Sequence, residues 1–166
     1  MSSTIGNRGN GYNMSQKFSD IFTELNLDKK ISLLINDCEI IKISENKDST
    51  AVRVFINSDH LISGFVLDKV SDKIKSVYFK DYESVSFFPS FSLSNQYNLM
   101  NVWDEYSETV FYELKKKSGI LYTLLSRSEK IFSNENEMEF LLEDSLIARD
   151  SVNSLQKALD ALLLRR

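Results

Sequence analysis

The sequence predicts an α+β fold built from two small mixed modules, helix–β–β–α–β followed by α–α–β–β–α. Hydrophobic residues make up 42% of the chain, which is enough for a real core. Only 5 Gly and 1 Pro occur in 166 residues, which favours long regular elements. The polar segment SLSNQYN, residues 92–98, interrupts the apolar pattern. We therefore divide the chain into a flexible tail (1–14), module I (15–91) and module II (92–166).

The first elements of module I follow from apolar spacing. After a glycine-rich tail, Ser15 is placed to cap a short helix with apolar residues at helical spacing. Residues 39–44 and 50–57 alternate as strands do, and the polar residues 46–49 between them predict a turn, so the pair reads as a hairpin. The apolar positions of the helix are Phe18, Ile21, Phe22 and Leu25.

A helix and a strand complete module I. Ser58 or Asp59 is the expected cap of the helix, and Gly64 inside it lowers helix stability by up to ~1 kcal/mol relative to alanine. Residues 76–92 are rich in aromatic and β-branched residues, and Pro89, which has no N–H, marks a sheet edge or the strand's end. The helix should bury Leu61, Ile62, Phe65, Val66, Val70 and Ile74.

Module II opens with an amphipathic helix that carries the only tryptophan, Trp103. Acidic residues lie early in this helix and Lys115, Lys116 and Lys117 lie at its end, an order that complements the helix dipole. Gly119 is expected to end the helix in the left-handed C′ conformation. The apolar face comprises Leu99, Val102, Trp103, Tyr106, Val110, Phe111 and Leu114.

The rest of module II is predicted from shorter patterns. A second short helix should bury Ile120, Leu121, Leu124 and Leu125. Residues 131–132 and 138–142 are expected to be short strands around a turn at 133–136. A closing helix over about 147–164 should bury Val152, Leu155, Leu159 and Leu162.

Charge and cysteine content restrict the function. The formal net charge is −4, and acidic residues outnumber basic ones in both halves, so we expect weak or no direct nucleic-acid binding. The single cysteine, Cys38, excludes an internal disulfide and is expected to be a small buried residue. Without an apolar signal core or a run long enough to span a bilayer, the chain is expected to be cytoplasmic, with no membrane contact.

The residue patterns of common catalytic sites are missing, so no catalytic residue, metal or cofactor is expected. His60 is the only histidine and fits a surface or capping role. Asp37 and Glu39 would share one face of a strand, but a two-metal nuclease needs further carboxylates on a long apolar strand. The isolated glycines form no phosphate loop, no GxSxG elbow and no GxxG grip.

Three segments carry a family resemblance: EIIKISENKDSTAVRVFINSDHLIS (39–63), VWDEYSETVFYELKKKSGILYTLLSRSEKIF (102–132) and EMEFLLEDSLIARDSVNSLQKALDALL (137–163). With them the chain resembles the N-terminal region, NI plus NII, of the PolC-type DNA polymerase III alpha subunit. The full-length family is a DNA-directed DNA polymerase with 3′–5′ exonuclease. This region of the family is non-catalytic.

The resemblance implies a partner and a location. Module II is also similar to the carboxy-terminal domain of the clamp-loader tau subunit. We therefore expect a protein-interaction region of the replisome, nucleoid-associated, whose partner is tau or another replication protein. Family members continue past the closing helix into a further short strand, so module II is expected to lack a final strand.

Two sets of side chains are candidates for an interaction surface. The apolar set is Phe55, Phe88 and Phe91, which the neighbouring module could instead cover. The basic set, together with Arg165 and Arg166, supports the alternative function, which is a KH-like nucleic-acid-binding module. The basic set is Lys115, Lys116, Lys117, Arg127 and Lys130.

Overall fold

A computed structural model describes residues 15–163, so the predicted tail and the terminal Arg165 and Arg166 lie outside the described residues. The α+β class is confirmed. The first sheet region comprises β1 (Gln16–Lys17), α1 (Phe18–Ile21), α2 (Lys29–Ile35), β2 (Glu39–Glu45), β3 (Ala51–Ser58), α3 (Gly64–Tyr78) and β4 (Ser84–Phe91). The second region comprises α4 (Leu99–Lys117), α5 (Gly119–Ser126), β5 (Glu129–Asn134), β6 (Glu137–Leu141) and α6 (Leu146–Leu163).

The first sheet has four strands in the order β1-β2-β3-β4. The predicted hairpin is confirmed, since β2 and β3 pair antiparallel across the turn after Glu45. Strand β4 pairs parallel to β3, with α3 as the crossover helix, and is an edge strand. The predicted edge position of Pro89 is therefore confirmed.

One face of this sheet forms the core and the other faces outward. Val52, Val54 and Ile56 on β3 are each at most 1% exposed, as their alternation predicts. Their neighbours in register on β4 are Val85, Phe87 and Pro89. The outward face carries the intervening residues of β3 and β4, and a β-bulge in β2 leaves Ile41 60% exposed there.

The start of the chain differs from the prediction. The residue that precedes α1 is Lys17, not Ser15, and its side chain makes no cap hydrogen bond. Strand pairing holds this short helix instead, because the Phe18 N–H donates to the Cys38 carbonyl at 2.8 Å. Helix α2 was not predicted; Asp28 caps it by accepting from the Ile31 N–H at 3.0 Å.

The prediction of the α3 cap was also wrong. Ser58 is the last residue of β3, and the helix is capped by Ser63, whose Oγ accepts from the Val66 N–H at 3.2 Å. Gly64 is the first residue of the helix rather than an interior one, so its cost to the helix is small. Phe65 is 54% exposed and is not part of the core.

Helix α4 forms as predicted, with its apolar face buried. Asn98 and Asn101 make a reciprocal capping box, with Asn98 Oδ1 accepting from the Asn101 N–H at 2.9 Å. Gly119 does not adopt the left-handed conformation, so that prediction was wrong. The extended residue Ser118 ends α4 and also caps α5 by accepting from the Leu121 N–H at 3.3 Å.

The hairpin β5–β6 and the closing helix α6 are confirmed; β5 is longer than predicted, and β6 has the predicted length but begins one residue earlier. Leu121, Leu125, Leu155 and Leu159 are buried as expected. Leu124 and Leu162 are half-buried, and two predicted core residues are exposed, Ile120 to 55% and Val152 to 45%.

A single hydrophobic cluster runs through both sheet regions. The Phe91 and Tyr106 rings meet edge to face at 5.7 Å, and the Tyr112 hydroxyl of α4 donates to Asp68 of α3 at 2.6 Å. The division near residue 92 coincides with an irregular segment between β4 and α4, but it stays a prediction. Within residues 15–163, every helix is too short or too polar to cross a bilayer.

Candidate interaction surfaces

Two of the three adjacent lysines contact different neighbours. Lys115 Nζ lies 5.7 Å from the Tyr122 ring centroid on α5. Lys116 Nζ donates to Asp68 of α3 at 2.9 Å. Because successive helical residues are about 100° apart, the run forms no common basic face.

Lys116 belongs to a charged cluster between α3 and α4. Burial alone would lower the pKa of Lys116, but its hydrogen bond to Asp68 and its attraction to Glu113 raise the pKa overall. The hydrogen bond to Asp68 likewise raises the pKa of Tyr112. A lysine pKa raised by folding stabilises the protein below the unfolded pKa near 10.5, and this contribution is lost only as the pH rises through the folded value. Lys116 therefore stays charged at neutral pH.

Changing Lys115, Lys116 and Lys117 together to glutamine should lower the free energy of unfolding by about 1–2 kcal/mol at most, because each interaction with the helix dipole contributes ~0.3–1 kcal/mol. Urea denaturation measures the loss. Lys116→Gln should account for more of it than Lys117→Gln, since only Lys116 bridges to Asp68. A loss above about 3 kcal/mol would contradict this interpretation of the lysines as a helix end.

The other two predicted basic residues lie elsewhere. Arg127 is the C-terminal cap residue of α5. Lys130, on β5, places its Nζ 5.4 Å from the Trp103 ring and 5.1 Å from the Phe132 ring. Lys115, Lys116 and Lys130 therefore each contact a different neighbour within the chain.

The apolar candidates separate into an outward pair and a buried residue. Phe55 and Phe88 are register partners on the outward face, stacked with ring centroids 5.1 Å apart. Phe88 is 37% exposed. Phe91 is only 3% exposed, because Tyr106 of α4 covers it. The expectation that Phe91 is available at the surface was therefore wrong, and the alternative that module II covers it is correct.

Sequence reasoning missed a groove of about 490 Å³ between β6 and α6. Residues 136–142 line one wall and a single face of α6 lines the other. The sequence signal was weak: in EMEFLLED, Leu141 interrupts an otherwise acidic outer face and is 51% exposed. The two walls are non-local in sequence, so only the fold brings them together.

The residues with catalytic potential have structural partners. Asp37 lies in the turn before β2 and not on the strand. The prediction that Asp37 and Glu39 share one face of a strand was therefore wrong. A hydrogen bond from Lys17 at 2.7 Å lowers the pKa of Asp37. Among the described residues, no three His, Cys, Asp or Glu side chains are grouped to hold a metal.

His60 and Cys38 tie α2 to the sheet. His60 Nε2 lies 2.8 Å from the Leu34 carbonyl oxygen of α2. His60 Nδ1 lies 2.7 Å from Asp59 Oδ1. Cys38 is 2% exposed, as predicted, and burial raises the pKa of its thiol. Both residues therefore have structural roles.

Comparison with known proteins adds one finding. Residues 17–87 match the family described as DNA polymerase III polC-type N-terminus I. The matched segment runs from β1 into β4 and covers most of module I. No curated protein and no solved structure gives a match to the chain.

Proposed function

We propose that this chain is a non-catalytic N-terminal fragment of a PolC-type DNA polymerase III alpha subunit, with residues 17–87 as its NI module and module II as NII. The observation that carries the proposal is the match of residues 17–87 to the polC-type N-terminus I family. The compact α–α–β–β–α arrangement that follows directly, packed onto β4 through Phe91, supports assigning module II to the same region.

The proposed role is protein interaction within the replisome, in the cytoplasm at the nucleoid. Carboxylates with nuclease potential are dispersed in the described residues, and Asp37 is paired with Lys17. Uncovered apolar surface is available instead, on the outward sheet face at Phe88 and beside α6 at Val152. The proposed partner is the clamp-loader tau subunit or another replication protein.

The alternative, a KH-like nucleic-acid module using Lys115, Lys116 and Lys117, has less support. These lysines diverge, and Lys116 is held by Asp68. Titrating the chain against tau and against duplex DNA at two salt concentrations tests both functions. Saturable binding of tau with little DNA binding supports the proposal. Strong DNA binding that weakens with salt and is lost in the triple lysine variant would favour the alternative.

The purified chain should show no polymerase, exonuclease or nucleotide-hydrolysing activity, with or without Mg²⁺ or Mn²⁺. The reason is that its described carboxylates form no metal-binding group. Degradation of labelled single- and double-stranded DNA is the measurement. Asp37→Asn is the informative variant and Asp48→Asn its charge-matched control at an exposed turn. Metal-dependent degradation that Asp37→Asn alone abolishes, with the fold intact, would overturn the proposal.

A further inference from the structure

The outward face of the first sheet carries a stacked pair of aromatic rings. Phe55 of β3 and Phe88 of β4 are register partners, with ring planes inclined by 23° and centroids 5.1 Å apart. Among the described residues, Phe55 is the only aromatic ring that contacts Phe88. A ring supplied by a partner can therefore extend the stack at the usual centroid separation of about 4.5–7 Å.

An aliphatic side chain lies on the same face. The β-bulge in β2 leaves Ile41 60% exposed, and the residue after it, Lys42, is the register partner of Phe55. Apolar side chains thus occur on three adjacent strands, over about 10 Å at ~4.8 Å between neighbouring strands. Single exposed hydrophobic residues are normal, whereas a group of them on one face is typical of an interaction site.

Two basic residues flank the aromatic pair. Lys42 lies opposite Phe55 on β2, and Arg53 lies two residues before Phe55 on β3, on the same face. Both basic residues are exposed, and within residues 15–163 their side chains make no hydrogen bond or ion pair. Lys116 and Arg149, by contrast, are paired with carboxylates. The charges of Lys42 and Arg53 are therefore available to a partner.

The charge of this face is opposite in sign to that of the whole chain, whose formal net charge is −4. At the outward positions of β2, β3 and β4, the only acidic residue is Glu39, which lies opposite Lys17 of β1. Complementary charges favour specific association. The face therefore favours a partner that is acidic beside its apolar contacts.

The surroundings of the face favour a short acidic segment over a strand of nucleic acid. Exposed Asp48, Asp81 and Glu83 lie in the two loops at one end of the face, and the Glu83 N–H donates to the Thr50 carbonyl at 2.7 Å. A nucleic acid carries a phosphate at every nucleotide and needs several cations to bind. A protein segment can instead place its few carboxylates only where the cations lie.

We propose that the outward face of the first sheet binds a segment of a partner protein in which an aromatic residue lies between acidic residues. The aromatic ring stacks on Phe88, apolar side chains of the segment cover Ile41, and its carboxylates pair with Lys42 and Arg53. The inference rests on the proposed interaction role, for which it names the surface and the chemistry of the partner segment.

The charge requirement is tested by calorimetric titration with the peptide Glu-Leu-Glu-Trp-Glu-Leu-Glu and its counterpart in which every Glu is Gln. We expect the acidic peptide to bind about three- to ten-fold more tightly, the effect of two exposed ion pairs. This preference should vanish in the double variant Lys42→Gln, Arg53→Gln. The control Lys30→Gln, Lys157→Gln, at exposed positions of α2 and α6, should keep it.

Three results of this titration would overturn the proposal. They are an acidic peptide that does not bind at about 1 mM, equal affinity for the two peptides, and a preference that survives in Lys42→Gln, Arg53→Gln.

The contribution of the aromatic stack is tested with Phe88→Ala. The acidic peptide should bind this variant about three- to ten-fold more weakly, because its tryptophan loses the ring on which it stacks. Phe65→Ala is the matched control, since Phe65 is an exposed aromatic residue on α3 that lies outside this face. Equal loss of binding in the two variants, with both folded by circular dichroism, would show that the peptide binds elsewhere.

Competition distinguishes other occupants of the face. Oligodeoxythymidine of about ten nucleotides should leave the acidic peptide bound. Displacement of the peptide by the oligonucleotide would overturn the assignment to a protein segment. Dimerisation of the chain that is detected by sedimentation and lost in Phe88→Ala would likewise assign the face to a second copy.

Two outcomes separate this inference from the proposed function. If the replication protein used to test the proposed function binds the Lys42→Gln, Arg53→Gln and Phe88→Ala variants normally and the peptide fails to bind, the inference falls while the proposed function stands. If the peptide shows the expected charge preference but no replication protein binds, the proposed role falls and the assignment of the face stands.

Discussion

Trp103→Ala is expected to lower the free energy of unfolding by about 3–5 kcal/mol, the range for truncating a buried aromatic side chain. Trp103 is 6% exposed and lies 5.2 Å from the Phe140 ring and 6.1 Å from the Phe111 ring. It therefore joins α4 to β6, and its removal leaves a cavity that neither element can close alone.

Urea unfolding followed by far-UV circular dichroism measures the effect, since the variant has lost the only indole. Phe65→Ala is the control, because Phe65 is an aromatic residue that is 54% exposed, and its loss should cost less than about 1.5 kcal/mol. Strong acrylamide quenching and a red-shifted emission of the unaltered chain would contradict the buried position of Trp103.

Phe91→Ala is expected to have an effect of similar size, about 3–5 kcal/mol, for a different reason. Phe91 ends β4 at 3% exposure, and its ring meets Tyr106 of α4 edge to face at 5.7 Å. The substitution removes packing between the two sheet regions and not within one of them. We therefore expect destabilisation of both regions, because the hydrophobic cluster is continuous across them.

Phe88→Ala is the matched control for Phe91→Ala, since both phenylalanines lie on β4 but face opposite sides of the sheet. Phe88 is 37% exposed and its ring stacks on Phe55 on the outward face, so its loss should cost below about 1.5 kcal/mol. Hydrogen exchange of α4 amides distinguishes the two variants. Unchanged protection of α4 in Phe91→Ala would contradict the coupling of the two regions.

Caps and short elements were the least predictable features. The expected caps, Ser15 for α1 and Ser58 or Asp59 for α3, were wrong. The pairing of Ser58 with Phe91 extends β3 and leaves Ser63 as the cap of α3. Strand β1 exists only because Gln16 and Lys17 pair with β2. Such pairings join residues that are far apart in the sequence, so no local sequence pattern predicts them.

The candidate surfaces show the same limit. Phe55, Phe88 and Phe91 look alike in the sequence, yet register puts two on the outward face and one under α4. The groove beside β6 was not predicted because its two walls are separated by a loop and meet only in the folded chain.

The sequence by itself determined the α+β class, the alternating core of β3 and the buried face of α4 with Trp103. Those features follow from hydrophobic periodicity, a pattern that can be recognised within a short stretch of sequence. Only the tertiary structure decided that Phe91 is covered, that Lys116 is held by Asp68, and that β6 and α6 line one groove. These depend on which elements pack against each other, because burial and pairing are properties of contacts between segments distant in the chain.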